Sequence, residues 1–210
     1  MLWQWSRSGT STEGTVEKQD EYMEDFFTLP HQEVRLPKLD AEGWVLDIGG
    51  GGEGIIGLLQ GSRVVSIDTS RRELEETCND SLKIVMDACD LKFLDETFDA
   101  VTSFFALMYV PGDKWGDVFG EAHRVLKEGG QFFIWDARFH VPASVDKEIS
   151  VVPLTVMLPD GRSVETGYGC KIHDQDLGDF LDLAGKSGFE VLESDYTGET
   201  FFLQLKKSPG

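Results

Sequence analysis

From residue 44 onward, short apolar runs alternate with amphipathic stretches, the pattern of a parallel sheet covered by helices on both faces. Residues 44–48 read as a buried strand, and the glycine run after it opens a helix over 53–60. A second strand over 63–68 ends at Thr69-Ser70, residue types that cap the helix predicted for 71–77. Strands follow at 83–87 and 98–104, then a helix over about 113–127 that Glu128-Gly129-Gly130 brings to an end. Residues 131–135 make a fifth strand. A last helix over 174–187 stops at Gly188. Strands at 189–196 and 200–206 share a short turn near Gly198, which forces them antiparallel. The predicted class is α/β: a three-layer sandwich whose seven-stranded, mostly parallel sheet has one antiparallel strand.

Two segments stand outside this alternation. The first, residues 1–40, holds Trp3, Trp5, Tyr22, Phe26 and Phe27. Its first dozen residues, rich in Ser, Thr and Gly, read as loose, and 17–28 reads as a helix with an aromatic face. The second, about 150–172, carries Pro159-Asp160-Gly161, a strong turn signal between runs at 151–158 and 163–168. It reads as an inserted β-hairpin that, with Tyr168, either walls the acceptor pocket or, through its exposed edges, makes a dimer contact. No repeat or linker marks a further domain. The expected organisation is an N-terminal segment, 1–40, and one domain, 41–210, with the hairpin inserted in it.

Composition narrows the class. A chain of 210 residues can bury its own core, and 40% hydrophobic against 27% charged residues describes a water-soluble globular protein. No apolar run reaches membrane-spanning length, and the N-terminus lacks the basic start and apolar stretch of a secretion signal. No membrane partner and a cytoplasmic location are therefore expected. A formal charge of −19, from 38 acidic and 19 basic side chains, would repel a phosphate backbone, so nucleic acid is not an expected partner. Cys78, Cys89 and Cys170 are odd in number and far apart, which suits neither a disulfide framework nor a metal site.

Chemistry concentrates in Asp47-Ile48-Gly49-Gly50-Gly51-Gly52-Glu53-Gly54. Glycine removes side chains, so a ligand can approach the backbone at the helix start. Read as Gly49-x-Gly51-x-x-Gly54, the run has the spacing of a dinucleotide-binding turn. Asp68, nineteen residues after Gly49 at the end of the second strand, is placed to accept hydrogen bonds from a ribose diol. Together they put an adenosine-containing ligand over the first crossover. Asp47 separates the choices: a carboxylate there suits the amino group of a methionine and opposes a pyrophosphate, because two anions repel.

Here the sequence resembles the class I S-adenosylmethionine-dependent methyltransferases. Their first motif is an acid followed by glycines at alternate positions after an apolar strand, as in Val45-Leu46-Asp47-Ile48-Gly49-Gly50-Gly51. The resemblance runs over roughly 44–137 and again over 174–206. It implies a Rossmann-like fold, S-adenosylmethionine as cofactor and S-adenosylhomocysteine as product. It implies Asp68 as the ribose-binding acid, Thr69 against the adenine, Asp87 accepting from the adenine amino group and Ala88 donating its amide to the ring. Phe98-Asp99-Ala100-Val101 through Phe104 resembles the fourth strand, with Phe104 beside the methionine part. The run from Arg124 to Phe132 resembles the passage from helix to fifth strand. The implied cofactor set is Asp47, Gly49, Gly50, Gly51, Asp68, Thr69, Asp87, Ala88 and Phe104. One departure is Glu53, where many members have their third glycine, with Gly54 one residue later. Either the loop is one residue longer or Gly50, Gly52 and Gly54 are the working set.

The catalytic side carries less signal. Methyl transfer from a sulfonium is an in-line displacement whose leaving group needs no proton. Orienting the acceptor is then the main task, with a base only where the nucleophile arrives protonated. Residues 103–109 lack the Asn/Asp-Pro-Pro-aromatic signature of enzymes acting on amino groups of bases or of glutamine, and resemble the small-molecule branch. His140, with Asp136 and Arg138, follows the fifth strand at the sheet's carboxyl edge, where ligands of open α/β sheets bind. It is the candidate base or substrate contact. Tyr22, Tyr109 and Arg138 complete the candidate acceptor residues; Tyr109 reads equally as a packed aromatic, and Tyr22 with Phe26 and Phe27 reads as core packing or as a lid. His123 reads as structural, and His31 and His173 lie near element boundaries without an assigned role. The expected function is methyl transfer to a small-molecule acceptor. A non-catalytic S-adenosylmethionine-binding sensor or scaffold is one alternative. An NAD-dependent oxidoreductase is the other, and would need an apolar residue at 47 and a further βαβ half after the fifth strand.

Overall fold

The structure is a computed structural model that describes residues 3–4, 26–39, 41–140, 142 and 144–209. In chain order the strands begin with β1 (Trp3–Gln4), β2 (Phe27–Thr28), β3 (Gln32–Arg35) and β4 (Val45–Ile48). Helix α1 (Ile55–Gln60), β5 (Val64–Asp68), α2 (Arg71–Glu76), β6 (Leu82–Val85) and β7 (Phe98–Phe104) follow. Then come α3 (Trp115–Val125), β8 (Leu126–Ala137), β9 (Ile149–Met157) and β10 (Ser163–Lys171). The chain closes with α4 (Leu177–Lys186), β11 (Phe189–Thr197) and β12 (Thr200–Lys207). Contacts gather these into two units: one of Lys38–Asp136, Leu177–Tyr196 and Phe201–Gly210, the other of Met1–Pro37, Ala137–Asp176 and Thr197–Thr200.

The first unit is built on the seven-stranded sheet, in the order β11-β12-β8-β7-β4-β5-β6. β4 pairs in parallel with β5 and β7, β5 with β6, and β7 with β8. The β11–β12 connection is only two residues long, which makes that pair antiparallel. The strand order reverses at β4, between β5 and β7, and the carboxyl ends there are the natural ligand crevice of an open α/β sheet. No second βαβ half follows β8; the chain goes into the β9–β10 hairpin and then α4 with its closing hairpin. Among the described residues, the further βαβ half that the oxidoreductase reading expected is not found.

Periodicity explains the packing. α3 buries Trp115, Val118, Phe119, Ala122 and Val125, the three-and-four spacing of one helix face. α4 buries Leu177, Phe180 and Ala184 in the same way. These meet Leu46, Val101, Phe132 and Ile134 of the sheet in one core cluster. Phe119 sits 5.5 Å from Phe132 and 6.1 Å from Phe180, ring centre to ring centre. Each such fully buried phenylalanine contributes about 2 to 3 kcal/mol of transfer free energy. His123 packs edge-on against Phe189 at 5.1 Å, and burial pushes its pKa down, in keeping with a structural histidine.

Several boundaries move, each for a local reason. α1 begins at Ile55 rather than 53 because Gly54, its N-cap, has φ +56°. α3 ends at Val125, because Leu126 is fully buried in an extended conformation and starts β8. The Glu128-Gly129-Gly130 stop expected of that helix therefore lies inside β8. There the register shifts between the Phe98 and Ala100 pairings, and Gly129 takes φ +71°. The predicted cap holds: Ser70 Oγ accepts from the Glu73 amide at the start of α2.

In the second unit, β9 and β10 form the predicted hairpin, paired antiparallel from Ile149↔Lys171 to Met157↔Ser163. β9 alternates cleanly, burying Val152, Leu154 and Val156, and Leu158 just after it continues the buried side. β1 pairs with β10 antiparallel at Trp3↔Gly169 and Gln4↔Tyr168, and β2 and β3 pair with β9 in parallel. Part of each edge of the hairpin is thus paired within the chain. The expected loose start contains β1, and the expected helix over 17–28 ends in strand β2; residues 17–25, and with them Tyr22, lie outside the described residues.

Candidate active site

The glycine run leaves β4 at Ile48 and turns directly under its neighbours. The amides of Gly49 and Gly50 both donate to Ile67 O of β5, at 2.8 and 3.1 Å. Gly52 N donates to Glu73 O of α2 at 2.9 Å. Gly49 has φ +73°, and a Cβ there would come 2.3 Å from Ala106 Cβ, so only glycine serves. A Cβ on Gly51 would lie 2.6 Å from Glu73 Cβ and 2.9 Å from Asp68 Oδ2. Most of the loop's amides are thus taken by the protein itself, and the glycines work by close approach. Of the two expected working sets, Gly49 and Gly51 both sit where a side chain is forbidden, and so do Gly50 and Gly54.

Asp47 lies beneath this loop. It is 2% exposed, its Oδ1 accepts from Thr102 Oγ1 at 2.8 Å, and its Oδ2 would be 2.5 Å from a Cβ on Gly50. Burial pushes its pKa up to about 7, against the pull of the Thr102 hydroxyl, with the charge of Asp68 adding to the rise. The carboxylate meets the loop from its buried side, not across an open cleft.

Asp68 ends β5, as expected. The Ser70 amide donates to its Oδ1 at 2.7 Å, and the nearby Gly51 and Thr69 amides, with that of Ser70, favour its charged form. Burial nevertheless outweighs these amides and raises its pKa. Thr69 is exposed beside it. Met86 N donates to Asp68 O at 3.0 Å, which fixes the exit of β6 and the exposed Asp87 behind it. Asp87 Oδ1 accepts from Cys89 N at 2.9 Å, an Asx turn that holds the half-buried Ala88.

Phe104 ends β7, buried, its ring 5.0 Å from Phe105 and 5.9 Å from Trp135. Phe105 carries φ +50°, a strained value for an aromatic residue, locked by its amide on Trp135 O at 2.8 Å. Tyr109 follows in a short 3-10 turn, half-buried. Asp136, fully buried at the end of β8, receives the Met108 amide at 3.1 Å and so pins that turn.

Asp47, Gly49, Gly50, Gly51, Asp68, Thr69, Asp87, Ala88, Phe104 and Tyr109 all fall in the first unit, at or just beyond the carboxyl ends of β4, β5, β6 and β7. Arg138 and His140 fall in the second. Arg138 is paired with Glu199 of its own unit at 2.8 Å, and His140 is exposed. His31 contacts Thr155 Oγ1 at 2.8 Å and His173 contacts Lys171 O at 2.8 Å, also within that unit. Sequence reasoning passed over Glu73, Thr102 and Ala106, and named Asp136 beside His140 without its partner, the Met108 amide. Glu73 had a signal, the Ser70-x-x-Glu73 spacing of a capping box; the others become visible only once β7 and β8 lie beside β4.

An adenosine fits these residues. Glu73 is 7% exposed with its Oε2 lacking any donor, beside Asp68 and against Gly51.

Comparison with known proteins agrees. Residues 46–134 match the methyltransferase domain family. A structure of S-adenosylmethionine-dependent methyltransferases from Methanosarcina mazei superposes with a TM-score of 0.60 at 18% identity, covering 82% of this chain and 96% of that one. An S-adenosylmethionine-dependent methyltransferase from Mesorhizobium loti gives 0.58 at 16% identity, over 81% and 93% of the two chains. The complex of DhpI with SAH gives 0.57 at 18% identity, over 80% and 78%. No curated protein matches the chain in sequence. Residues 46–134 thus carry the match to the methyltransferase domain family, and the fold is one shared with S-adenosylmethionine-dependent methyltransferases.

Proposed function

We propose that this methyltransferase transfers its methyl group in line to a small-molecule acceptor, with the cofactor held by Asp47, Gly49, Gly50, Gly51, Asp68, Thr69, Asp87, Ala88 and Phe104. The observation that carries the acceptor class is the exit of β7. Ser103-Phe104-Phe105-Ala106 offers packed aromatics and a strained backbone in place of an Asn/Asp-Pro-Pro-aromatic clamp for a flipped base or a glutamine. The charge of −19 points the same way, against a polyanionic substrate.

When bound, S-adenosylmethionine supplies an electrophilic methyl group on a sulfonium, whose departure needs no proton. The protein's contribution is then placement and exclusion of water. Asp68 accepts from the ribose, Asp87 faces the adenine amino group, and the amide after it addresses the ring. Asp47 supports the glycine loop from below and sets the local negative potential toward the methionine amino group. Phe104 and Phe105 dry the end of β7, and the turn pinned by Asp136 presents Tyr109 toward the acceptor. A base role for His140 rests on its place in the sequence after the fifth strand. The test is transfer of labelled methyl from S-adenosylmethionine to a panel of small amines, phenols, carboxylates and thiols, beside DNA, tRNA and protein. Labelling confined to a small molecule supports the reading, and labelling confined to a macromolecule refutes it.

A further inference from the structure

Helix α1 starts without the usual means of holding a helix end. Its N-cap, Gly54, has φ +56° and no side chain, no acid stands in the first turn, and a helix of six residues has little stability of its own. Gly57 inside it is, proline apart, the residue least suited to a helix interior. Both glycines lie against Asn79, on the connection from α2 to β6. A Cβ on Gly57 would lie 2.6 Å from Asn79 Cγ and overlap its Nδ2, and a Cβ on Gly54 would overlap Nδ2 as well. The two glycines thus make a notch, and the half-buried Asn79 amide fills it.

Both polar atoms of that amide have partners. Nδ2 donates to Gly54 O at 2.9 Å, the same oxygen that takes the first intrahelical bond, from Leu58 N at 3.0 Å. Oδ1 accepts from Ser81 N at 3.0 Å and from Ser81 Oγ at 2.7 Å. A backbone N–H can only donate, so this fixes which end of the amide meets Gly54. Ser81 Oγ in turn accepts from Ser66 Oγ of β5 at 2.9 Å, with both serines buried. Ser66 stands opposite Asp47 in the β4–β5 register, and a Cβ on Gly50 would come 2.8 Å from its Oγ. One hydrogen-bonded chain, Ser66–Ser81–Asn79–Gly54, therefore runs from beside Gly50 to the last glycine of the loop. We propose that Asn79 is a positioning residue for the cofactor loop: it fixes, through Gly54 O, where the loop ends and α1 begins, and cofactor affinity depends on it. This rests on the assignment of the glycine run to the cofactor. It also gives a reason for the otherwise unfavourable Gly57, which clears the space that the Asn79 amide needs.

The experiment is calorimetric titration of the full chain with S-adenosylhomocysteine, for wild type, Asn79→Ala, Gly57→Ala and the double variant. Each is titrated at a temperature where its thermal melt shows it fully folded. Asn79→Ala should bind about fivefold more weakly at full stoichiometry, the worth of one neutral hydrogen bond. Gly57→Ala, whose methyl drives the amide off Gly54 O, should lose affinity by a similar factor. Both changes remove the same bond, so the double variant should bind no more weakly than Asn79→Ala alone. A fully folded Asn79→Ala with wild-type affinity confines the residue to a structural role and overturns the proposal. Losses that multiply in the double variant overturn it too. Should Asn79→Ala not fold, Asn79→Asp carries the comparison, since it keeps an acceptor for Ser81 and sets an oxygen against Gly54 O. Weakened binding then supports the proposal, and unchanged affinity overturns it. If the wild-type chain itself binds no S-adenosylhomocysteine, the cofactor assignment fails first and the proposal falls with it.

Discussion

Thr102 of β7 donates its hydroxyl to the Asp47 carboxylate of β4 at 2.8 Å, with both side chains buried beneath the glycine loop. This bond ties β4, where the strand order reverses, to its neighbour β7, and it gives the buried carboxyl a hydrogen-bond donor. Thr102→Val has nearly the same shape and removes the donor. It should cost about 1 to 3 kcal/mol of stability, read as a lowered midpoint in denaturant. An unchanged midpoint would mean that Asp47 does not depend on Thr102.

Asp47 also sets a pH dependence. Its pKa rises from 3.8 to about 7 on folding, so between those values the folded chain keeps a proton that the unfolded chain has released. Unfolding free energy contributed by this group therefore falls as pH rises from 4 to 7, and is flat above and below that window. Asp47→Asn cannot ionise and should lose the slope. Relative to wild type it should gain at most about 4 kcal/mol between pH 4 and pH 8. Denaturant melts at those two pH values check this, and parallel profiles for the two proteins would refute it.

Asp68→Ala should weaken S-adenosylhomocysteine binding by at least about tenfold, from loss of a hydrogen bond to a charged group. The fold should survive, because the carboxylate is only half-buried and bonds to the amides at a helix start. Calorimetry and circular dichroism on the same sample separate the two effects. Intact affinity would remove Asp68 from the ribose site.

Two glycines make a contrasting pair. Gly51→Ala must drive Glu73 and Asp68 apart and should cost about 1 to 3 kcal/mol by overpacking. Gly120, inside α3, has nothing within 4 Å of where an alanine methyl would stand. Alanine there should gain up to about 1 kcal/mol of helix propensity. Thermal melts of the two variants should move in opposite directions. A harmless Gly51→Ala would mean that the loop is not closely packed on α2.

How far the sequence carried can be judged from particular elements. β7 was legible to the residue, because all its positions but Asp99 are apolar or small and buried, which periodicity reports directly. Asp68 was legible because it ends a buried apolar run at the set spacing from the glycines. The glycine run was legible as a site, but its amide partners, Ile67 O and Glu73 O, come from other elements and leave no local trace. The same holds for Thr102 under Asp47 and for Asp136 on the Met108 amide, which depend on β7 and β8 lying against β4 and on the turn after β7. β2 and β3 were missed for another reason. Short strands that pair in parallel with β9, more than a hundred residues later, have no turn chemistry to announce them.

The central claim is that the chain binds an S-adenosyl sulfur compound over the β4–β5 crossover. Parallel calorimetric titrations with S-adenosylmethionine, S-adenosylhomocysteine and NAD test it most directly. Saturable one-to-one binding of the first two, with none of NAD, is the predicted result. Binding of NAD with neither sulfur compound bound would contradict the assignment of Asp47 and of the site built around it.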